Sequence, residues 1–222
     1  AGIADNTILI FTSDNGCSPR ADFEELAAAG HNPSYVFRGH KADIYEGGHR
    51  IPLLLRWPAR TPAGTTSDDT VCLSDLFSTC ADIVGGDLAD SVAEDSVSNL
   101  PLWLGEGRSQ LIREATVHHS IDGSFSLRKG KWKLEMCPGS GGWSDPRPGE
   151  EPPEAPPIQL YDLTADIGER RNLCGEWPEV VDELKGILTR YVVDGRSTPG
   201  APQPNTGARY WPQLNWLMET DV

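Results

Sequence analysis

The chain of 222 residues is 38% hydrophobic and 23% charged, and it carries a net charge of −14 at pH 7. That length can bury a sizeable core, as one large domain or as a domain plus a smaller lobe. The acidity argues against a nucleic-acid partner, whose phosphates require a basic footprint, and no apolar run approaches the roughly 20 residues needed to span a bilayer.

The chain opens Ala1-Gly2-Ile3-Ala4-Asp5, without methionine or signal-peptide pattern, and enters an apolar run almost at once. Such an opening is expected of the middle of a longer protein. The run Thr7-Ile-Leu-Ile-Phe-Thr-Ser-Asp-Asn-Gly16 ends in two oxygen-bearing side chains and a glycine. Ile8 to Phe11 are apolar without alternation, which predicts a strand buried on both faces, typically in a parallel sheet. Ligands of open α/β sheets bind beyond the carboxyl ends of the strands, so Asp14 and Asn15 are candidates for chemistry. Asp-Asn-Gly is also a good turn sequence, because Asp and Asn bond their own backbone. As donors the two residues offer hard oxygens with no thiolate or clustered imidazole nearby, which favours calcium or magnesium over zinc. Calcium takes roughly six to eight oxygens, so further ligands must come from elsewhere.

A loop from Cys17 to Arg38 follows, with a short helix expected over Asp22 to Ala29. Cys17-Ser-Pro-Arg20 suggests a reactive cysteine, but nothing beside it lowers a thiol pKa, and the inert reading prevails. The segment Arg38 to Pro52 is glycine-rich and charged, and it precedes Leu53-Leu-Leu-Arg-Trp57, a second expected buried strand with Pro52 tolerated at its start. Within this segment Lys41 could meet an anion as a point charge or proton donor, although a lone loop lysine is usually solvated. Glu46-Gly47-Gly48 with Arg50 suits either an internal ion pair or a plain glycine-rich turn. His40 and His49 flank the region as weak acid–base candidates, and His31 has no context that supports a role.

After a polar turn region, Thr61 to Asp69, Ser74 is the expected N-cap of a helix. Leu76, Phe77, Cys80, Ile83 and Val84 form its apolar face, and Gly85-Gly86 stop it. Asp87 to Gly107 reads as an acidic, irregular surface segment. Four short strands are expected at Ala115 to Ser120, Ser124 to Arg128, Lys131 to Met136 and Ile158 to Leu163. Arg128-Lys-Gly-Lys131 closes a tight hairpin between the second and third. His118 and His119 are adjacent, so in a strand they face opposite sides and read as structural. Cys137 to Pro157, dense in Gly, Pro and Glu, reads as a loop or a partly disordered insert. Trp177-Pro178 opens a helix whose stripe runs from Val180 and Val181 through Leu184, Ile187 and Leu188 to Tyr191 and Val192, suited to covering the small sheet. The tail from Arg196, with Tyr210, Trp211 and Trp216, is expected to wrap the surface without regular structure. The five cysteines include no C-x-x-C pair, so one disulfide is possible and the compartment stays open.

Taken in order, these pieces resemble the sulfatase family, in the C-terminal portion of an arylsulfatase-type enzyme. They are Asp5 to Gly16, Gly39-His-Lys41, Tyr45-Glu-Gly-Gly-His-Arg-Ile-Pro52 and Arg56-Trp-Pro58. Further on come Ser74 to Thr79, Leu127-Arg-Lys-Gly-Lys-Trp-Lys-Leu134, and Leu160 to Asp166 leading to Glu169 and Asn172-Leu173. The likeness covers about residues 4 to 193. It implies part of an alkaline phosphatase-like α/β fold with a mixed sheet flanked by helices over 1–110. A small antiparallel four-stranded sheet packed with a helix, plus an irregular tail, would occupy 111–222. It implies that Asp14 and Asn15 are ligands of a divalent metal, usually Ca2+, and that Lys41 contacts the substrate's sulfate and assists the leaving oxygen. The family's nucleophile is a formylglycine made from a cysteine, and its substrates are sulfate esters, small molecules or sulfated carbohydrates. Family members are commonly exported, so a periplasmic or secreted location is expected.

The departures matter as much. The nucleophile motif C-x-P-S-R or C-x-A-x-R is absent. Cys17-Ser-Pro-Arg20 lacks the residue between proline and arginine, and it follows the metal motif instead of preceding it. The early aspartate pair, the nucleophile's arginine, and the upstream lysine and histidine pairs have no counterpart. Ser78 replaces a usual proline, with no catalytic consequence. The chain is therefore expected to be a fragment of a sulfuric ester hydrolase, inactive alone. The alternatives are a phosphate- or phosphonate-ester hydrolase of the same superfamily and a non-catalytic carbohydrate- or protein-binding module. Oligomeric state and the particular ester are not encoded in these motifs.

Overall fold

The structure, a computed structural model, describes residues 2–106, 111–208 and 211–218. Ala1, Gly107 and Tyr210, named above, lie outside the described residues. The chain forms two compact units: Ala1–Ser13 with Pro52–Thr116 and Tyr191–Pro204, and Asp14–Ile51 with Val117–Arg190 and Asn205–Val222.

In the first unit, β1 (Leu9–Thr12) pairs with β2 (Leu53–Arg56) in register Leu9↔Arg56 to Thr12↔Leu53. The pairing is antiparallel, not parallel as the unbroken apolar runs predict. Exposure alternates along both strands, so neither is covered on both faces. The open face carries Leu9, Phe11 and Leu54 at 61%, 64% and 59% exposure. An apolar run signals two buried faces only when neighbouring layers are present, and this unit covers one side.

Helix α3 (Asp75–Ile83) follows the predicted span but not the predicted face. Asp75 and Thr79 are buried, while Phe77 and Val84 are exposed. The reason is polar. The Asp75 carboxylate accepts hydrogen bonds from the backbone N–H groups of Cys72 (2.8 Å) and Val97 (3.1 Å), and it pairs with the buried Arg113 guanidinium. Ser74 precedes the helix, but its hydroxyl donates to the Asp95 carbonyl instead of accepting from the first turn. A short helix, α4 (Leu100–Trp103), interrupts the segment read as irregular and buries Trp103.

The second unit holds α1 (Phe23–Ala28) and the single turn α2 (Glu46–His49), followed by β3 (Thr116–His119), β4 (Phe125–Lys129), β5 (Trp132–Glu135) and β6 (Gln159–Asp162). The last four form one sheet in the order β3-β4-β5-β6. The β4–β5 hairpin closes at Gly130, φ +57°, in the left-handed region that glycine adopts at no steric cost. Helix α5 (Pro178–Asp194) buries Leu184, Ile187 and Leu188, the middle of the predicted stripe. Lys129 of β4 pairs with its Glu183 at 2.7 Å.

The tail is not a surface wrapping throughout. Asn215–Met218 forms α6, and Trp216 is buried edge-on against Phe125 with its indole N–H donated to Thr189 Oγ1 (3.1 Å). The segment Cys137 to Ser144 lacks regular structure, yet Cys137 and Ser140 are buried. All five cysteines are free.

Candidate functional site

Asp14 and Asn15 lie just beyond β1 in the chain, Asp14 exposed and Asn15 half-buried. The Asp14 carboxylate accepts the Asn15 N–H (3.1 Å), the local bond that makes Asp-Asn-Gly a turn former. Gly16 serves close approach. A Cβ there would collide with the Gly47 carbonyl oxygen, and the Gly16 N–H donates to the Gly48 carbonyl at 2.8 Å. One residue on, the Cys17 carbonyl accepts the Lys41 N–H at 2.9 Å. Two backbone bonds thus join the Asp14-Asn15 turn to the glycine-rich segment that carries Lys41. Lys41 is half-buried and makes no ion pair among the described residues.

Beneath this segment lies a cluster of buried charge. Lys133 of β5, fully buried, reaches Glu169 at 2.6 Å and Glu46 and Glu135 at 3.3 Å each, and donates to the Ile44 carbonyl at 2.9 Å. Burial alone would discharge this ammonium, but Glu169, Glu135 and Glu46 outweigh it and raise the pKa. For Glu46, burial pushes the carboxyl up, while Lys133, Arg128 and Arg50 together hold it below the usual range. Glu135 is raised well above that range, chiefly by burial. Of the two readings that the sequence allows for this segment, the Glu46–Arg50 ion pair is present, at 3.0 Å.

His49 and His118 stack face to face in the same cluster, centroids 4.0 Å apart and planes 7° from parallel. Burial, then nearby Lys133 and Arg128, lowers His118 to about 3, and burial likewise depresses His49. Neutral imidazoles wedged in a cationic surround suit packing better than acid–base work. His119 points elsewhere, edge-on to Phe125 at 4.2 Å, as alternation in a strand requires.

His40 sits beside a shallow cleft of about 540 Å³ lined by Pro19, Arg20, Phe23 and three further residues, with its ring 5.5 Å from that of Phe23. Its Nδ1 lies 3.0 Å from the Lys41 carbonyl and its Nε2 3.2 Å from Ser144 Oγ. Lys133 and Glu169 fall within the motifs that carry the resemblance, but neither they nor Asp43 are given a role in the site by the sequence. Charged residues in short strands and loops read as solvated faces, and only the fold brings three separate carboxylates to one lysine.

For the expected metal, the available donors fit in type but not in number. Asp14 and Asn15 supply hard oxygens, yet among the described residues no group of three or more His, Cys, Asp or Glu could hold an ion.

The family model for Sulfatase matches residues 1–86. The chain is 34% identical over 192 residues to N-acetylgalactosamine-6-O-sulfatase of Bacteroides thetaiotaomicron, covering 84% of this chain and 36% of that relative. Against arylsulfatase A of Homo sapiens it is 32% identical over 221 residues, covering 93% of this chain and 42% of the relative. This chain belongs to the sulfatase family. A solved structure from work on glycosaminoglycan metabolism by Bacteroides thetaiotaomicron superposes with a TM-score of 0.69 at 32% identity, covering 84% of this chain and 39% of that one. Another, in complex with its substrate D-glucosamine-2-N,6-O-disulfate, gives 0.61 at 25% identity, over 85% and 34% of the two chains. The fold is the alkaline phosphatase-like one of sulfatases. The sulfatase chain spans 36% and 42% of the length of these two curated relatives.

Proposed function

We propose that this chain is the part of a sulfuric ester hydrolase that supplies two metal ligands, Asp14 and Asn15, and a sulfate-contacting lysine, Lys41. The observation that carries the reading is the backbone stitching of the Asp14–Cys17 turn to the Lys41 segment, through Gly16 N–H to Gly48 and Lys41 N–H to Cys17. The hard oxygens and the ammonium thus sit on two turns joined by backbone hydrogen bonds. That pairing suits a divalent cation, Ca2+ by its oxygen donors, beside an anionic ester. When bound, such a cation screens the sulfate oxygens.

The residues of this chain then have separate tasks. Asp14 and Asn15 orient the charge-neutralising ion. The Lys41 ammonium meets a sulfate oxygen and offers a proton to the leaving alcohol, at a position where it needs no reorganisation. The glycines at 16, 47 and 48 let the two turns approach. Cys17 is not the nucleophile: it lacks the family's motif, and its Sγ lies 3.7 Å from the Ser18 carbonyl. The formylglycine lies outside this sequence, and the ester is a small sulfated molecule or a sulfated carbohydrate.

Hydrolysis of a chromogenic aryl sulfate tests the reading. The 222-residue chain should give no turnover, whereas the complete enzyme should, and Lys41→Ala in that enzyme should lower kcat by about 10²–10³-fold. Turnover by the 222-residue chain, or full activity in Lys41→Ala, would contradict it.

A further inference from the structure

We infer that Asp43 is a positioning residue for Lys41, and that the Ser140–Ser144 loop beyond β5 is thereby a structural member of the sulfate site. The inference rests on the functional reading of Lys41 given above.

Lys41 lies in a turn with one residue in an unfavourable backbone state: Ala42, directly after Lys41, has φ +87°, where an L side chain is strained, whereas Gly39 at φ +74° adopts the same region freely. Strain of this kind persists only where the surroundings over-determine it. Here the agent is one carboxylate. Asp43 is buried, and its Oδ2 accepts the His40 N–H at 2.8 Å together with the Ser144 hydroxyl. Its Oδ1 accepts the Trp143 N–H at 2.8 Å and the Ser144 N–H at 3.0 Å. One side chain thus ties the residue preceding Lys41 to a loop a hundred positions away.

Two further backbone bonds close on the turn. From that loop the Ser140 carbonyl accepts the Ile44 N–H at 2.8 Å, and from the β3–β4 connection the Ile121 N–H donates to the Ala42 carbonyl at 2.9 Å. Gly142 permits the approach, since a Cβ there would lie 2.5 Å from Asp43 Oδ1 and 2.6 Å from the Ala42 carbonyl oxygen. Every backbone anchor around Lys41 is therefore fixed while its ammonium stays unpaired among the described residues. That is the condition a preorganised anion contact requires.

Ser144, His40 and Asp43 resemble a nucleophile–base–acid set in composition only. The Ser144 hydroxyl hydrogen is committed to Asp43, and His40 Nδ1 faces two acceptors, the Lys41 carbonyl at 3.0 Å and Asp43 at 3.4 Å. The constellation holds a turn.

Asp43→Asn is the informative change. An amide in either orientation keeps one acceptor oxygen and loses two of the four accepted bonds. In the complete enzyme it should lower kcat/KM by about 10- to 100-fold and weaken inhibition by inorganic sulfate by a comparable factor, with the melting transition retained. Ser144→Ala, which removes a single donor, should do the same more weakly, and it serves if Asp43→Asn fails to fold. The decisive step is to repeat either change in a Lys41→Ala background. A residue that acts through Lys41 should then cost no more than about two- to threefold. The same factor in both backgrounds, or wild-type kinetics in both variants, would overturn the inference while leaving the role of Lys41 intact. Wild-type kinetics in Lys41→Ala itself would overturn the functional reading and the inference with it.

Discussion

At the residue scale, the groups of the proposed site are readable by type, whereas what joins them is not. Asp14, Asn15 and Lys41 stand out as donors and a cation in suggestive loops. The bond from the Lys41 N–H to the Cys17 carbonyl is a backbone contact that no side-chain identity encodes. Glycine at 16 reads as a turn residue, but its reason is the Gly47 carbonyl, which a sequence does not place beside it. The stacked imidazoles are similarly hidden. Their energetic consequence can be worked out. In the fold His118 is lowered from its ordinary 6.5 to about 3, with Lys133, Arg128, Glu46, His49 and His119 around it. Below pH 6.5 the unfolded chain therefore takes up a proton that the folded chain refuses, and stability falls as pH drops from 6.5 toward 3. At pH 5 this one imidazole should cost about 2 kcal/mol relative to pH 8. Urea unfolding of the wild type and His118→Phe at those two pH values checks it. The variant should lose less stability on acidification, and an identical loss in both would count against the assignment.

At the element scale, the spans of strands and helices follow local pattern closely, because alternation, glycine stops and proline starts act over a few residues. The β4–β5 hairpin and the stripe of α5 are examples. Faces are less local. On the apolar side of α3, Phe77 and Val84 stay exposed and Leu76 and Ile83 only half-buried, because Asp75 is drawn inward by Arg113 and by two backbone N–H groups. Hydrophobic periodicity has no knowledge of a cation 38 positions away. The stability consequence is a reversal of the ordinary ranking. Asp75→Ala strands a buried guanidinium and should cost about 3–5 kcal/mol, whereas Phe77→Ala, at a side chain 57% exposed, should cost less than about 1 kcal/mol. Denaturant midpoints of the two variants decide the matter, and a larger loss for Phe77→Ala would restore the sequence-based face.

At the scale of the whole molecule, the sulfatase assignment was legible from ordered short motifs, and the relatives bear it out over most of the chain. The antiparallel pairing of β1 with β2 was not, since unbroken apolar runs report the layers around a strand and not the direction of its neighbour. The open face at Leu9, Phe11 and Leu54 belongs to a two-stranded sheet, a unit that is marginal without further packing. In the proposed function, the Asp14-Asn15 turn and the Lys41 turn are one half of a metal–sulfate site. A high-resolution structure of the complete enzyme with Ca2+ and inorganic sulfate measures it directly. An Asp14 carboxylate oxygen should lie about 2.3–2.6 Å from the ion, with the Lys41 ammonium in hydrogen-bond reach of a sulfate oxygen. An ion bound elsewhere, with Asp14 turned into solvent, would contradict it.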